Sequence, residues 1–490
     1  MGLLHDAVAA AAGLAKKWGP ARRLLSRVAR SIPALRKLYQ SSLYMSTRSL
    51  ELVRENQERM RRLLGGCLEP REGHEDRGVF IIVVDALRWR STSLAGYERR
   101  TTPFLETLPA RGRAAAAAPQ TYSSVPSILT GLYPHRHGAV VGGRVKNMGR
   151  VETLRPLRRN AATLADIASY LGMEFFFVSA ITTAALPFYG RLVARDEPAR
   201  AERILSAGLA AARGAVEKGK GFIAYLHIGD LHQPVRPPKR FRDYFGRVEK
   251  LPRIETWDYY RPETWHTEGF ERYRRNRVLL YDNALRYVDY ALERFFERLR
   301  DEGLWGRVLV VVTADHGEEF WEHAEVEARH FYHPYGRYGV DHGHTVFGEL
   351  VEVPLLFAGP GAERIAGSLE KGAASHVDIV PTVLDWLGVE HRLSLDGYSL
   401  LRGPPPPSRP LLSESIGYGY EKKALTLGGA KLFHAPGDGV TWLFDLRSDP
   451  GEQTPLDEPA AVEEMLTSLK RLLARGAVAA ARQPCGVASR

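Results

Sequence analysis

The chain has 490 residues and a formal net charge of +11, with 44% apolar and 26% charged residues, a composition that buries a core and excludes a disordered scaffold. Its two cysteines, Cys67 and Cys485, are too few and too far apart for a disulfide scaffold or a thiolate zinc site. No uninterrupted apolar run approaches the ~18 residues of a spanning helix.

Residues 1–77 read as a basic helical extension. Residues 1–48 carry nine bases against one acid, Asp6. The apolar run 7–15 has its charges after it rather than before it, unlike an export signal. Asp6 also stands where myristoylation of Gly2 needs a hydroxyl residue. Leu24, Leu25, Val28, Leu35 and Leu38 recur at helical spacing among Arg and Lys, which predicts short amphipathic helices broken near Pro20 and Pro33. Such an arm either lies on an anionic membrane surface or packs on the rest of the chain with a solvated basic face. No zinc-finger or RNP-like signature supports nucleic acid as a partner. The expected location is the cytoplasm, with membrane association through residues 1–48 as the option the arm leaves open. A further helical stretch over 43–64 carries acid–base pairs three or four residues apart, such as Glu51–Arg54 and Glu55–Arg59.

Residues 78–405 alternate apolar runs with helical periodicity. Runs at 79–84, 175–178, 222–227, 308–313 and 354–357 predict buried strands, and 162–171, 199–218 and 276–299 predict helices. That alternation predicts a three-layer α/β/α sandwich around a mostly parallel sheet. Such sheets bind ligands at the carboxyl ends of their strands. Asp85 closes the first run, and Asp315 and His316 follow the fourth. An ionised carboxylate at a buried strand end is costly unless it is paired or holds a metal. A small α+β subdomain is expected over 406–480, with strands near 423–427, 431–434 and 441–444 and a helix near 460–473. Residues 481–490 read as a tail.

The stretch Thr121-Tyr122-Ser123-Ser124 runs through Leu129-Thr130-Gly131-Leu132-Tyr133-Pro134 to His137-Gly138. After it come Asp230-Leu231-His232-Gln233-Pro234, Asp315-His316-Gly317-Glu318, Asp341-His342-Gly343-His344 with Val353-Pro354-Leu355, and His376-Val377-Asp378 with Pro381-Thr382. Leu443-Phe444-Asp445-Leu446 closes the series. In this order, over roughly 78–455, the segments resemble the sulfatase-like branch of the alkaline phosphatase superfamily. The resemblance implies the same sandwich fold. It also implies a metal-dependent ester hydrolase with its nucleophile ten residues before Gly131, at Thr121.

Sulfatases carry Cys or Ser there and convert it to formylglycine; nucleotide pyrophosphatases and related phosphodiesterases carry Thr. Asp85, Asp315 and His316 supply two hard oxygens and an imidazole, and with the Thr121 oxygen make a four-ligand site for one divalent ion, Mn, Zn or Ca. The family's two-metal pattern needs a spacing that Asp230-Leu231-His232 lacks. His232 and His344 are the candidates for gripping non-bridging oxygens or protonating the leaving group. His342, His323 and His333 stand behind them, with a second metal site as their other reading, and His376 is a further contributor.

Several departures point from sulfate towards phosphate esters. Threonine cannot become formylglycine, Val125 replaces the motif's Arg, Ala86 follows the first metal Asp, and His316 stands where many sulfatases have Asn. The expected activity is cleavage of phosphate mono- or diesters, or phosphoryl transfer, through a phosphothreonine. The alternatives are a sulfatase without formylglycine and a catalytically inactive binding protein. Arg236, Lys239, Arg240, Tyr244, Phe245, Trp257, Tyr259, Tyr260, Arg261, Trp265 and Tyr273 could wall the pocket against a phosphorylated or sulfated small molecule, glycan or lipid headgroup, or form an ordinary inserted cap.

Overall fold

The computed structural model describes residues 47–142, 146, 147, 153–249, 261–480 and 485. The expected helices of the basic arm before residue 47, Trp257, Tyr259 and Tyr260 of the aromatic wall, and most of the tail lie outside the described residues.

Helix α1 (Thr47–Leu64) precedes the sandwich. Strands β1 (Gly78–Val84) and β2 (Ala110–Ala115) lead to helix α2 (Thr121–Thr130). Then come β3 (Glu174–Ser179), β4 (Ala194–Asp196), α3 (Ala201–Val216), β5 (Phe222–Ile228) and the long α4 (Glu268–Asp301). Strands β6 (Val308–Thr313), β7 (Glu352–Ala358) and β8 (Ala374–Ser375) complete the sheet. The order is β8-β2-β7-β6-β1-β5-β3-β4, at the centre of the expected three-layer α/β/α arrangement.

All neighbours pair in parallel except at β7, which runs against both β6 and β2. The central strands β1, β5 and β6 are buried at every residue, so their sequences are continuous apolar runs. β2 was not expected: its Ala-Arg-Gly-Arg-Ala-Ala sequence has no apolar run, and pairing with β7 and β8 forms it. Helix α4 begins eight residues before the expected start, because the Thr267 hydroxyl caps it by accepting the Phe270 N–H at 3.2 Å.

The C-terminal part is a four-stranded antiparallel sheet of β9 (Leu411–Ser413), β10 (Lys423–Leu427), β11 (Ala430–Ala435) and β12 (Val440–Asp445), followed by α5 (Pro459–Ala480). Leu412, Leu425, Leu432, Leu443, Met465 and Leu469 make its core together with Tyr133 and Val377 of the sandwich. Cys67 and Cys485, which their spacing gave no reason to pair, form a disulfide across 418 residues. Among the described residues no helix is long and apolar enough to cross a membrane.

Candidate active site

Parallel pairing of β1 and β6 sets Val83 opposite Thr313, so Asp85 and Asp315, each two residues further on, leave the sheet side by side. The turn after Asp85 is held by Tyr281, whose hydroxyl donates to the Ala86 carbonyl at 2.7 Å and accepts the Arg88 N–H at 3.1 Å. Ala86 has φ 60°, a conformation costly for a residue with a Cβ and common at functional turns. Thr121 is the first residue of α2, after the N-cap Gln120. Its Oγ1 lies 3.2 Å from His316 Nε2 and 3.5 Å from Asp85 Oδ2. The helix N-terminus adds partial positive charge where an anionic ester would sit.

The His316 Nδ1–H donates to the Gly317 carbonyl at 2.8 Å, which leaves Nε2 as a lone pair facing Thr121 and the two aspartates. Burial pushes this imidazole down, so it stays neutral. Burial alone would raise the Asp85 carboxyl, but the surroundings, His232 foremost and then the His227 imidazole, outweigh it and hold Asp85 well below the usual range. Asp85 Oδ1, Asp315 Oδ2 and His227 Nε2 are buried without a hydrogen-bond partner. Converging lone pairs of this kind, two carboxylates with a neutral imidazole, fit a divalent cation.

The structure therefore brings Asp85, Thr121, Asp315 and His316 together. His227, on β5, belongs with them: its Nε2 is 3.3 Å from Asp85 Oδ2 and 3.6 Å from Asp315 Oδ2, and its Nδ1 pairs with the Tyr225 hydroxyl at 2.9 Å. Sequence reasoning missed it. The available signal was an imidazole near the carboxyl end of an otherwise apolar buried strand.

His232 and His342 face this group, with ring centroids 5.4 Å apart and His342 4.1 Å from His316. His344, expected as a catalytic group, is turned elsewhere. Its Nε2 meets Glu319 Oε2 at 2.9 Å and Glu327 Oε1 at 3.1 Å. The reason is local: Asp341 and Gly343 have φ of 72° and 83°, and that backbone path sends His342 and His344 to different clusters. Burial lowers the His342 imidazole, but the Glu318 carboxylate 2.8 Å away outweighs it and lifts it to about 9. Asp230 caps α3 by accepting the Ala201 N–H at 2.8 Å. His376 Nδ1 lies 3.1 Å from the hydroxyl of Ser124 in α2. Of the expected aromatic wall, Trp265 and Tyr273 are buried in the core, Arg240 covers the rings of Phe241 and Tyr290, and Tyr244 is exposed.

Beside the site, His323 Nδ1 donates to Glu349 Oε1 at 2.6 Å in full burial. Burial pulls His323 down, yet Glu349 outweighs it and holds the imidazole at about 10; the same pairing overrides burial of Glu349 and holds it at about 2. The His323 contribution to stability is fully present below its ordinary 6.5 and is lost as pH rises through about 10. The Glu349 contribution is present above 4.5 and lost as pH falls through about 2. His323→Gln is therefore expected to cost about 3–5 kcal/mol near pH 6, with the gap to wild type closing by pH 10. Urea midpoints at pH 6, 8 and 10 check this; a gap that stays constant means that the pair is not ionised.

A family model described as Sulfatase matches residues 77–184 and 201–389. The multifunctional alkaline phosphatase superfamily protein PehA of Trinickia caryophylli is 33% identical over 121 residues, 25% of this chain and 21% of PehA. Arylsulfatase K of Xenopus laevis is 33% identical over 205 residues, 38% of this chain and 35% of that protein. These alignments thus span about a fifth to a third of the relatives' own length. Among solved structures, a 2-O GAG sulfatase superposes with TM-score 0.59 at 18% identity, covering 82% of this chain and 92% of that one. The phosphonate monoester hydrolase of Agrobacterium radiobacter gives 0.57 at 18% identity, covering 82% and 96%.

Proposed function

Because the chain belongs to the sulfatase family, the ester hydrolases of the alkaline phosphatase superfamily, we propose that it cleaves a phosphate mono- or diester, or transfers the phosphoryl group, through a covalent phosphothreonine on Thr121. The observation that carries this reading is the Thr121 hydroxyl at the head of α2, 3.2 Å from His316 and 3.5 Å from Asp85. A hydroxyl at this position supports a phosphoester reading, because threonine cannot be oxidised to formylglycine.

Asp85, Thr121, Asp315, His316 and His227 are the residues that would hold a divalent cation. When bound, it lowers the pKa of the attacking hydroxyl and neutralises charge on the ester. Thr121 Oγ1 loses its proton to solvent and attacks phosphorus in line, forming the Oγ1–P bond as the bond to the leaving oxygen breaks. His232 or His342 gives that oxygen its proton. Water, or an acceptor alcohol, then attacks the same phosphorus from the vacated side and gives its proton back to that imidazole, while the Oγ1–P bond breaks and Thr121 Oγ1 takes a proton from solvent. The positive end of α2 favours the charge that develops on the phosphoryl oxygens.

Sulfate esters form the second reading, favoured by relatives that carry the name arylsulfatase. The test is turnover of aryl phosphate monoester, diester, phosphonate and sulfate side by side with added Mn²⁺ or Zn²⁺. The expected order places a phosphoester or phosphonate at least ~100-fold above sulfate in kcat/KM. Turnover confined to the sulfate sinks the phosphothreonine reading.

A further inference from the structure

A second cluster lies one chain segment away from the catalytic group and shares no residue with it. Glu319 opens the short strand Glu319–Phe320, which pairs with Val340–Asp341, and Glu327 sits in the helix Ala324–His330. His344 follows the partner strand. Glu319, Glu327 and His344 are all buried.

Each carboxylate has one oxygen fixed by the backbone. Glu319 Oε1 accepts the His323 N–H at 3.0 Å, and Glu327 Oε2 accepts the Gly339 N–H at 2.8 Å. The remaining oxygens, Glu319 Oε2 and Glu327 Oε1, both face His344 Nε2, at 2.9 and 3.1 Å. One imidazole nitrogen can give one proton to one oxygen. It goes to Glu319, and Glu327 Oε1 is left buried without a hydrogen-bond partner.

Cations nearby are engaged elsewhere: Arg277 with Glu318 and Asp341, His342 with Glu318, and Lys422 with Asp438. The adjacent His323–Glu349 pair differs in how its imidazole is shared, although Glu349 Oε2 is also without a hydrogen-bond partner. There Nδ1 serves Glu349 Oε1 alone, while Nε2 turns away to the Glu452 carbonyl at 3.2 Å and the Gln453 side-chain amide at 3.1 Å, so no single ring nitrogen stands between two carboxylates.

We infer that Glu319, Glu327 and His344 form a second divalent-cation site, separate from the one at Asp85, Asp315 and His316. The geometry suits it. Around a four-coordinate ion with bonds of about 2.0–2.1 Å, ligand atoms stand about 3.3 Å apart, within a few tenths of the separations here. One imidazole with two carboxylates is a donor set for Zn²⁺ or Mn²⁺, with water completing the shell. The two backbone hydrogen bonds already aim the carboxylates, as outer partners of metal ligands do. The consequence is positional. His342 and His344 flank Gly343, so a cation holding His344 fixes the loop that carries His342 against His316. The inference stands independently of the reaction proposed for Thr121.

The test is metal content of the full chain after equilibration with Zn²⁺ or Mn²⁺ and desalting. Wild type is expected to hold about two equivalents, and Asp85→Ala/Asp315→Ala about one. Glu327→Gln, isosteric and still able to accept from Gly339, is expected to hold about one as well. Co²⁺ loaded into the Asp85→Ala/Asp315→Ala chain should show a visible d–d spectrum that Glu319→Gln abolishes. One equivalent in wild type, lost in Asp85→Ala/Asp315→Ala and untouched by Glu327→Gln, overturns the inference: the two glutamates then share a proton. Should Glu327→Gln fail to fold, the count and the Co²⁺ spectrum of the Asp85→Ala/Asp315→Ala chain decide alone.

Discussion

Thr121→Ala should lower kcat on every accepted ester by about 10,000-fold or more, while circular dichroism and the thermal midpoint stay within a few degrees of wild type. The side chain is buried at the start of α2, and its removal deletes a hydroxyl and a methyl without touching the Gln120 cap, whose side chain accepts the Ser123 N–H. What disappears is the hydroxyl that lies within reach of both Asp85 and His316 at the helix head. Ser123 and Ser124 cannot replace it. Ser123 Oγ accepts from Gln120 Nε2 at 2.7 Å, and Ser124 Oγ donates to the Asp315 carbonyl at 2.5 Å. Thr121→Ser, which keeps the oxygen, should retain activity within about 10–100-fold and yield a phosphoserine on denaturation during turnover. Mass spectrometry of acid-quenched wild type should find one phosphoryl group on the Thr121 peptide. An alanine variant within tenfold of wild type removes Thr121 from the chemistry and makes water the direct nucleophile.

The sequence exposed some of these residues and hid others for identifiable reasons. Asp85 and Asp315 were legible because an acid at the end of an apolar run has few inexpensive fates. Thr121 was legible from its place in an ordered motif. His227 was hidden because its strand reads as one apolar run, and only the parallel register with β1 brings it under Asp85. The choice between His342 and His344 was not available to sequence reasoning. They are two residues apart, and the positive φ of Asp341 and Gly343 decides which one meets His316. Strand direction was equally out of reach at β7: its apolar run suits either sense, and the connection through the Glu319–Val340 ribbon makes it antiparallel. β2 shows tertiary pairing overriding weak propensity, and the extra turns of α4 show a cap residue outside the apolar periodicity.

Removing bound divalent cation should destabilise the wild-type chain, and Asp315→Asn should reverse that response. Asp85 and Asp315 are both fully buried, and Asp85 Oδ1 and Asp315 Oδ2 have no hydrogen-bond donor. Two unneutralised carboxylates side by side in that setting cost several kcal/mol, by desolvation and by mutual repulsion. A cation present at about 1,000 times its Kd contributes about 4 kcal/mol to stability by mass action alone. Chelation should therefore lower the thermal midpoint by several degrees. In Asp315→Asn the Oδ1 that accepts the Ala86 and His316 N–H groups, at 3.3 and 3.0 Å, is kept. The new amide N–H₂ replaces Oδ2, which lies 3.4 Å from His316 Nε2 and 3.6 Å from His227 Nε2, and so donates to lone pairs where two anions had met. In chelator the variant should melt above wild type. With saturating Mn²⁺ or Zn²⁺ the order should invert, and metal affinity at this group should fall at least ~100-fold along with activity. A variant that melts below wild type in both conditions, with chelation leaving wild type unmoved, would mean that the buried aspartates are balanced by the side chains around them rather than by a cation.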